Sequence, residues 1–132
     1  MKLDRLVTKS LALYALLTAT AFAGATLTEA AVSANGDAER GKTLYQGCLG
    51  CHSIDENDLG PRHRGVFGRH AGSIEDYAYS MALKNSGLIW NEATLDQWLT
   101  NPSGLVPGTK MFFKVDDAQS RADIIAYLKQ LK

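Results

Sequence analysis

The chain has 132 residues, and its 14 Lys and Arg balance its 14 Asp and Glu, so the formal net charge at pH 7 is +0. With no basic tract and no Arg-rich helix, the composition gives no indication of a nucleic-acid partner. The length beyond the N-terminal segment suits one small domain, without internal repeats or low-complexity tracts.

The N-terminus has the pattern of an export signal. Lys2, Arg5 and Lys9 precede an uncharged run over residues 10–28, and its apolar centre, residues 11–23, has the length of a signal-peptide h-region. Small residues at 21 and 23 offer a cleavage site, and residues 32–34 offer a second one. We predict a signal peptide over residues 1–23, or 1–34 with later cleavage, and export to a bacterial periplasm. An uncleaved membrane anchor is the alternative, because the run approaches the ~20 residues of a membrane span.

The remaining chain is predicted to begin with a flexible segment, residues 24–36, followed by one domain over residues 37–132. Asp37 is a suitable N-cap for a first helix over residues 38–47. This helix leads directly into the pair of cysteines at Cys48 and Cys51.

Later elements are also short. Residues 55–73 hold five Gly or Pro and show neither helical nor strand periodicity, so we predict a structured loop. Short helices are expected at 80–86, stopped by Gly87, and at 92–100, ended before Pro102.

A last helix is predicted to begin near Asp117. Its stripe of side chains needs a partner surface and consists of Ala118, Arg121, Ile124, Ile125, Tyr127, Leu128 and Leu131. Because no run has the length and alternation of a strand, the predicted class is all-α.

Residues 48–52 read Cys-Leu-Gly-Cys-His, which is the attachment signature of a c-type haem. Two thiols at this spacing can bond to two vinyl groups of one porphyrin, and His52 can bind the iron. A thioredoxin-type couple would need a βαβ pattern that the flanking sequence lacks. A structural zinc site needs a fourth ligand, for which only His63 and His70 remain. A disulfide across two residues would close a small, strained ring.

Few residues are candidates for a second axial ligand, which would bind the haem iron on the side opposite His52. Met81 lies within a predicted helix, where a core position is expected. Met111 lies in the turn-rich residues 107–111, which can place a side chain over a flat ring. For His63 and His70 a surface or hydrogen-bonded position is expected, because no further Cys-X-X-Cys-His motif accompanies them.

Over residues 36–132 the chain resembles the soluble class I c-type cytochromes, specifically the cytochrome c2 and mitochondrial-type branch. The resemblance implies a small cytochrome c fold of short helices and loops wrapped around one covalently bound haem. Its motifs lie in this order: Gly41 and Tyr45, residues 48–52, Gly60-Pro61, residues 65–69, Tyr79-Ser80, Trp90, Asn101-Pro102, residues 107–111, and residues 121–128.

The resemblance also implies specific positions around the cofactor. Cys48 and Cys51 would form the thioethers of one haem c. His52 would bind the iron while its other ring nitrogen donates to the Pro61 carbonyl. Met111 would be the distal ligand, and such a His/Met pair raises the reduction potential.

Further cofactor-binding positions follow from the same resemblance. Arg69, Tyr79 and Trp90 would surround the inner haem propionate, and Thr109 would lie beside the Met ligand. Trp98 stands where this branch usually has a tyrosine, so an indole N–H replaces a hydroxyl near the sulfur.

Several positions depart from the family's pattern. Leu83 replaces a common asparagine, and Gly47, Ser103 and Gly104 replace lysines of the docking face. That face is therefore expected to be weakly charged. Its apolar rim would include Phe112, for which docking and packing are equally expected, and Phe113, for which packing is favoured.

The implied function is that of a periplasmic one-electron carrier without enzymatic activity or a small-molecule substrate. It would be a monomer of the respiratory chain, docking transiently with redox proteins. Its place would lie between a quinol-oxidising membrane complex and a terminal oxidase, reductase or photosynthetic centre. The alternatives are a haem enzyme or gas sensor with a labile Met ligand, or the same carrier held by a membrane anchor.

Overall fold

A computed structural model describes residues 35–132. Both the predicted signal peptide and the alternative anchor lie outside the described residues. The helices are α1 (Ala38–Leu44), a 3-10 helix (Tyr45–Cys48), α2 (Met81–Lys84), α3 (Glu92–Thr100), α4 (Pro102–Leu105) and α5 (Ala118–Leu128).

The predicted all-α class is confirmed. Among residues 35–132 there is no strand, and the only strand-like pairing is an isolated bridge between His70 and Ile89. Within the same range, no helix combines the length and apolar character that a membrane crossing requires.

The first and last helices cross in close contact. Gly41 permits the approach, because a Cβ at this position would collide with the main-chain carbonyl of Asp123 in α5. Beside this contact, the ring of Tyr45 packs against Tyr127 at a centroid distance of 5.2 Å. The contact joins the two ends of the domain and fixes the helix that leads into the cysteine pair.

Asp123 connects these helices although it is 2% exposed. Its carboxylate accepts hydrogen bonds from the Asp37 main-chain N–H (2.7 Å) and from Arg40 Nε (2.8 Å). Burial raises the pKa of Asp123, but the hydrogen bonds from Asp37, Gln119 and Arg40 outweigh it and leave the pKa below its ordinary value. The sequence pattern did not identify this residue, which is not part of the predicted stripe although it precedes Ile124 and Ile125 of that stripe.

Helix α4 was not predicted. The sequence places Pro102 as a stop for α3, and α3 does end at Thr100. Proline is also suited to the first position of a new helix, where its missing N–H is not needed. Here Asn101 caps α4 by accepting from the Gly104 N–H. The turn begins the segment that carries Met111.

Two other helices differ from prediction. The α-helical part of the first ends at Leu44, and the chain continues as the 3-10 helix to Cys48. Helix α2 is shorter than expected, and Met81 is 67% exposed, so its predicted core position is wrong. Leu83, two residues later and therefore on the opposite side of the helix, is the buried residue.

The core surrounds a cavity instead of filling the centre of the domain. Helices α3 and α5 and the loop after the cysteine pair supply its buried apolar side chains. These include Val66, Trp90, Leu95, Trp98, Leu99, Ile124, Ile125 and Leu128.

Candidate functional site

The centre of the domain holds a cavity of about 400 Å³, within the usual range of ~300–1,000 Å³ for cofactor and ligand sites. All ten predicted site residues line it: Cys48, Cys51, His52, Pro61, Arg69, Tyr79, Trp90, Trp98, Thr109 and Met111. Leu59 and Tyr77 also contribute to the wall, and no sequence pattern pointed to either residue.

The two cysteines lie at one end of the cavity. The 3-10 helix ends at Cys48, and the N–H groups of Cys51 and His52 both donate to the Cys48 carbonyl, at 3.1 and 2.9 Å. This tight turn presents both thiols and the imidazole to the same cavity. No disulfide joins the cysteines.

The electrostatics of Cys48 do not suit a thiolate. Burial, with a smaller contribution from Cys51, raises the pKa of Cys48 to about 11. The thiol therefore stays protonated at neutral pH, unlike the reactive cysteine of a dithiol redox couple. Within residues 35–132, no group of three or more His, Cys, Asp or Glu residues is arranged to hold a metal ion.

His52 is held in a defined orientation. Its Nδ1 shares a hydrogen bond of 2.7 Å with the Pro61 carbonyl, which leaves Nε2 as the ring nitrogen available to a metal. Gly60 lies over the ring beside Cε1, where a Cβ would collide with Cε1, Nδ1 and Nε2. Burial lowers the pKa of His52, and the opposing effects of the Pro61 hydrogen bond and Asp58 are smaller. The ring is therefore neutral at pH 7, as a metal ligand must be.

His63 takes the hydrogen-bonded position that was predicted as one of its two options. Its Nδ1 lies 2.9 Å from the Tyr45 hydroxyl, and its ring stacks on the His52 ring at 4.0 Å between centroids. Burial, followed by the nearby charges of His52 and Arg69, lowers the pKa of His63 to about 3. The stacking on His52 was not anticipated. His70, in contrast, is exposed.

Met111 also lines the cavity, and it belongs to a segment far along the chain from the cysteine pair. The segment turns at Gly108, whose φ of +91° favours glycine. Lys110 ties it to the loop at residue 78 by donating from Nζ to the Ala78 carbonyl at 2.8 Å. Trp98 Nε1–H donates to Met111 Sδ at 3.1 Å. The thioether is thus oriented by an indole that is itself only 7% exposed.

Arg69 places a positive charge at the wall. Its guanidinium donates to the carbonyls of Arg64 (2.9 Å) and Arg62 (3.0 Å), and within residues 35–132 no carboxylate forms an ion pair with it. Burial lowers the pKa of Arg69 and raises that of Tyr79. Main-chain hydrogen bonds join residues 68 and 69 to Trp90, so that Arg69 and Trp90 lie on adjacent segments.

The mouth of the cavity carries exposed apolar side chains. Phe112 is 75% exposed and Phe113 is 52% exposed, and both line the opening. The packing position favoured for Phe113 is therefore wrong, because the ring lies at the surface. Leu59 is equally exposed at 75%.

These residues fit a haem. The cavity is largely apolar, as a porphyrin requires, and supplies the two thiols of Cys48 and Cys51 at one end. It also offers a neutral imidazole nitrogen and a half-buried thioether. The Arg69 guanidinium, which pairs with no carboxylate of residues 35–132, suits an anionic propionate.

Comparisons with known proteins agree with this chemistry. The Cytochrome c family model matches residues 38–132. Cytochrome c2 of Blastochloris viridis is 47% identical over 98 residues, covering 71% of this chain and 77% of the relative. Cytochrome c2 of Rhodomicrobium vannielii is 44% identical over 113 residues, covering 82% of this chain and 90% of the relative.

Solved structures give the same result. Cytochrome cH from Methylobacterium extorquens superposes with a TM-score of 0.69 at 48% identity, covering 71% of this chain and 98% of the other. Ferricytochrome c2 from Rhodopseudomonas palustris gives a TM-score of 0.70 at 34% identity, covering 73% and 99%. The chain belongs to the cytochrome c family, as a monohaem class I c-type cytochrome and electron carrier with one haem c attached through Cys48 and Cys51.

Proposed function

We propose that His52 and Met111 are the two axial ligands and that the protein is a periplasmic one-electron carrier. Its electrons would pass from a quinol-oxidising membrane complex to a terminal oxidase, reductase or photosynthetic centre. The observation that carries the proposal is the 3.1 Å hydrogen bond from Trp98 to the Met111 sulfur, in the cavity that His52 also lines. A side chain that only filled space would not need an oriented sulfur.

The bound haem supplies an iron that alternates between the ferric and ferrous states. The residues around it keep the two states similar in structure. Pro61 holds the imidazole of His52, and Trp98 holds the thioether of Met111, so neither ligand has to reorient when the charge changes. A soft thioether favours the ferrous state and raises the potential.

The cavity wall limits how much the surrounding water has to reorient when the charge of the cofactor changes. Trp90, Trp98 and Leu83 are each 7% exposed and exclude water from the side of the cavity that they form. Arg69 supplies a fixed positive charge for a carboxylate of the cofactor, and no carboxylate in the described part of the chain forms an ion pair with it. Fixed ligands and excluded water together favour rapid one-electron exchange.

The exposed rim supports transient docking with redox proteins as a monomer. Phe112 and Phe113 offer apolar contact area beside the opening, and transient redox encounters bury small interfaces, below ~1,200 Å². The docking-face lysines of the family are absent at positions 47, 103 and 104. Complementary charge therefore contributes less to the encounter rate than in cytochromes that keep these lysines.

Carbon monoxide separates the carrier from a haem enzyme or gas sensor. A carrier with both axial positions filled does not bind CO in the ferrous state at neutral pH, and its ferric spectrum is low-spin with a long-wavelength sulfur-to-iron band. Met111→Ala is expected to lose that band and to bind CO. Rapid CO binding by the wild-type protein would support the sensor alternative.

Fractionation of the native cell tests the location. We expect the haem protein in the periplasmic fraction, with a mass that corresponds to cleavage after residue 23 or 34. A membrane-bound protein whose mass includes residues 1–23 would support the anchored carrier instead.

A further inference from the structure

The wall beside His52 contains a second histidine that the proposed electron transfer does not use. His63 stacks on the His52 ring at 4.0 Å with an angle of 24° between the planes. The resemblance assigns no histidine to this position, where an apolar residue is usual. A polar ring in an apolar wall requires a hydrogen-bond partner, and the Tyr45 hydroxyl supplies it at 2.9 Å.

Three contacts restrain the His52 ring. The hydrogen bond from Nδ1 to Pro61 fixes one atom of the imidazole, and Gly60 packs over the ring beside Cε1. His63 adds a planar ring stacked on the imidazole, and its own orientation is fixed through Tyr45, which is 1% exposed and packs against Tyr127 of α5.

We propose that His63 is a positioning residue that, held by Tyr45, fixes the plane of the His52 imidazole. The proposal rests on the proposed ligation of iron by His52. A fixed plane keeps the nitrogen lone pair directed at the metal and strengthens its donation, which stabilises the ferric state more than the ferrous state. Through the contacts of Tyr45 with Tyr127 and with His63, the packing of the helices thereby affects the reduction potential.

The test uses the mature haem-loaded protein and three variants: His63→Leu, Tyr45→Phe and the double variant. The first readout is the ¹H NMR spectrum of the ferric form, because the order and spread of the haem methyl shifts depend on the plane of the axial imidazole. The second is the reduction potential, and the third is the free energy of unfolding. Tyr45→Phe keeps the His63 ring and removes only the hydroxyl, so it remains informative if His63→Leu folds poorly.

We expect His63→Leu and Tyr45→Phe to change the methyl shift pattern in the same direction and to raise the potential. The double variant should change both by no more than His63→Leu alone, since the two residues act through one contact. The controls are His70→Leu, at an exposed histidine, and Tyr127→Phe, at another tyrosine that contacts Tyr45. Neither control should change the shift pattern.

A wild-type shift pattern and potential in His63→Leu, with only the stability reduced, would overturn the proposal and leave His63 as a packing residue. Failure of the proposed ligation by Met111 looks different, because the wild-type spectrum would then lack the upfield methyl resonance of a coordinated methionine. The comparison between wild type and His63→Leu would still report on the plane of His52 in that case.

Discussion

Replacement of Trp98 by phenylalanine tests how the indole controls the Met111 sulfur. The change removes the Nε1–H donor at 3.1 Å and keeps an aromatic ring in the wall. A hydrogen bond draws electron density from the sulfur and weakens its donation to ferric iron more than to ferrous iron. Its loss is therefore expected to stabilise the ferric state and lower the reduction potential.

The size of the effect follows from the strength of the bond. A typical protein hydrogen bond contributes about 0.5–1.5 kcal/mol net. If all of it distinguished the two oxidation states, the one-electron potential would fall by about 20–60 mV, at 59 mV for each ~1.4 kcal/mol. This range is an upper limit, because part of the bond persists in both states.

The assay is a redox titration of the mature holoprotein, followed by its visible spectrum. Ile125→Val is a suitable control, because Ile125 is 2% exposed in α5 and does not line the cavity. It is expected to lose about 0.5–1.5 kcal/mol of stability with an unchanged potential. Trp98→Tyr, which keeps a donor, should shift the potential less than Trp98→Phe. An unchanged or higher potential in Trp98→Phe would refute the reasoning, and an equal fall in Ile125→Val would assign the effect to packing.

The remaining predictions concern stability and docking. Gly41→Ala should lower the unfolding free energy measured by denaturant titration by about 1–3 kcal/mol, because its Cβ collides with the α5 backbone. In the control Gly47→Ala, the Cβ meets no atom within 4 Å, so the unfolding free energy should stay unchanged. Asp123→Asn should cost about 1–3 kcal/mol at pH 7. The pKa of Asp123 in the folded protein lies below its ordinary 3.8. The difference in unfolding free energy between wild type and Asp123→Asn should therefore persist above about pH 4 and disappear as the pH falls through the folded pKa. A constant difference down to pH 2 would contradict this assignment. Phe112→Ala should slow electron transfer to a partner in stopped-flow mixing without changing stability or potential, while a wild-type rate would exclude the exposed ring from the docking surface.

The parts of the fold that depend on local signals could be predicted from sequence. Asp37 caps the first helix as expected, and the last helix begins beside Asp117 as predicted, because an N-cap acts within a few residues of its own position. Helix α4 was missed since Pro102 is compatible both with ending one helix and with beginning the next. Only the side chain of Asn101, turned back to cap Gly104, distinguishes these possibilities.

The site was predictable where chemistry follows from spacing and unpredictable where it depends on packing. The attachment motif at residues 48–52 could be identified because its two thiols and imidazole must be adjacent in sequence to serve one ring. The stacking of His63 on His52 joins residues eleven positions apart through a loop, and it depends on where Tyr45 is placed by the contact between α1 and α5. The buried carboxylate of Asp123 has the same origin, since its partners Asp37 and Arg40 are more than eighty residues away.

A redox titration of the purified mature protein, monitored by its visible spectrum, tests the central claim most directly. Ligation by His52 and Met111 predicts a single one-electron transition between low-spin forms, with the sulfur-to-iron band present in the ferric state and absent in Met111→Ala. A high-spin ferric spectrum without that band in the wild-type protein, or an unchanged band in Met111→Ala, would contradict it.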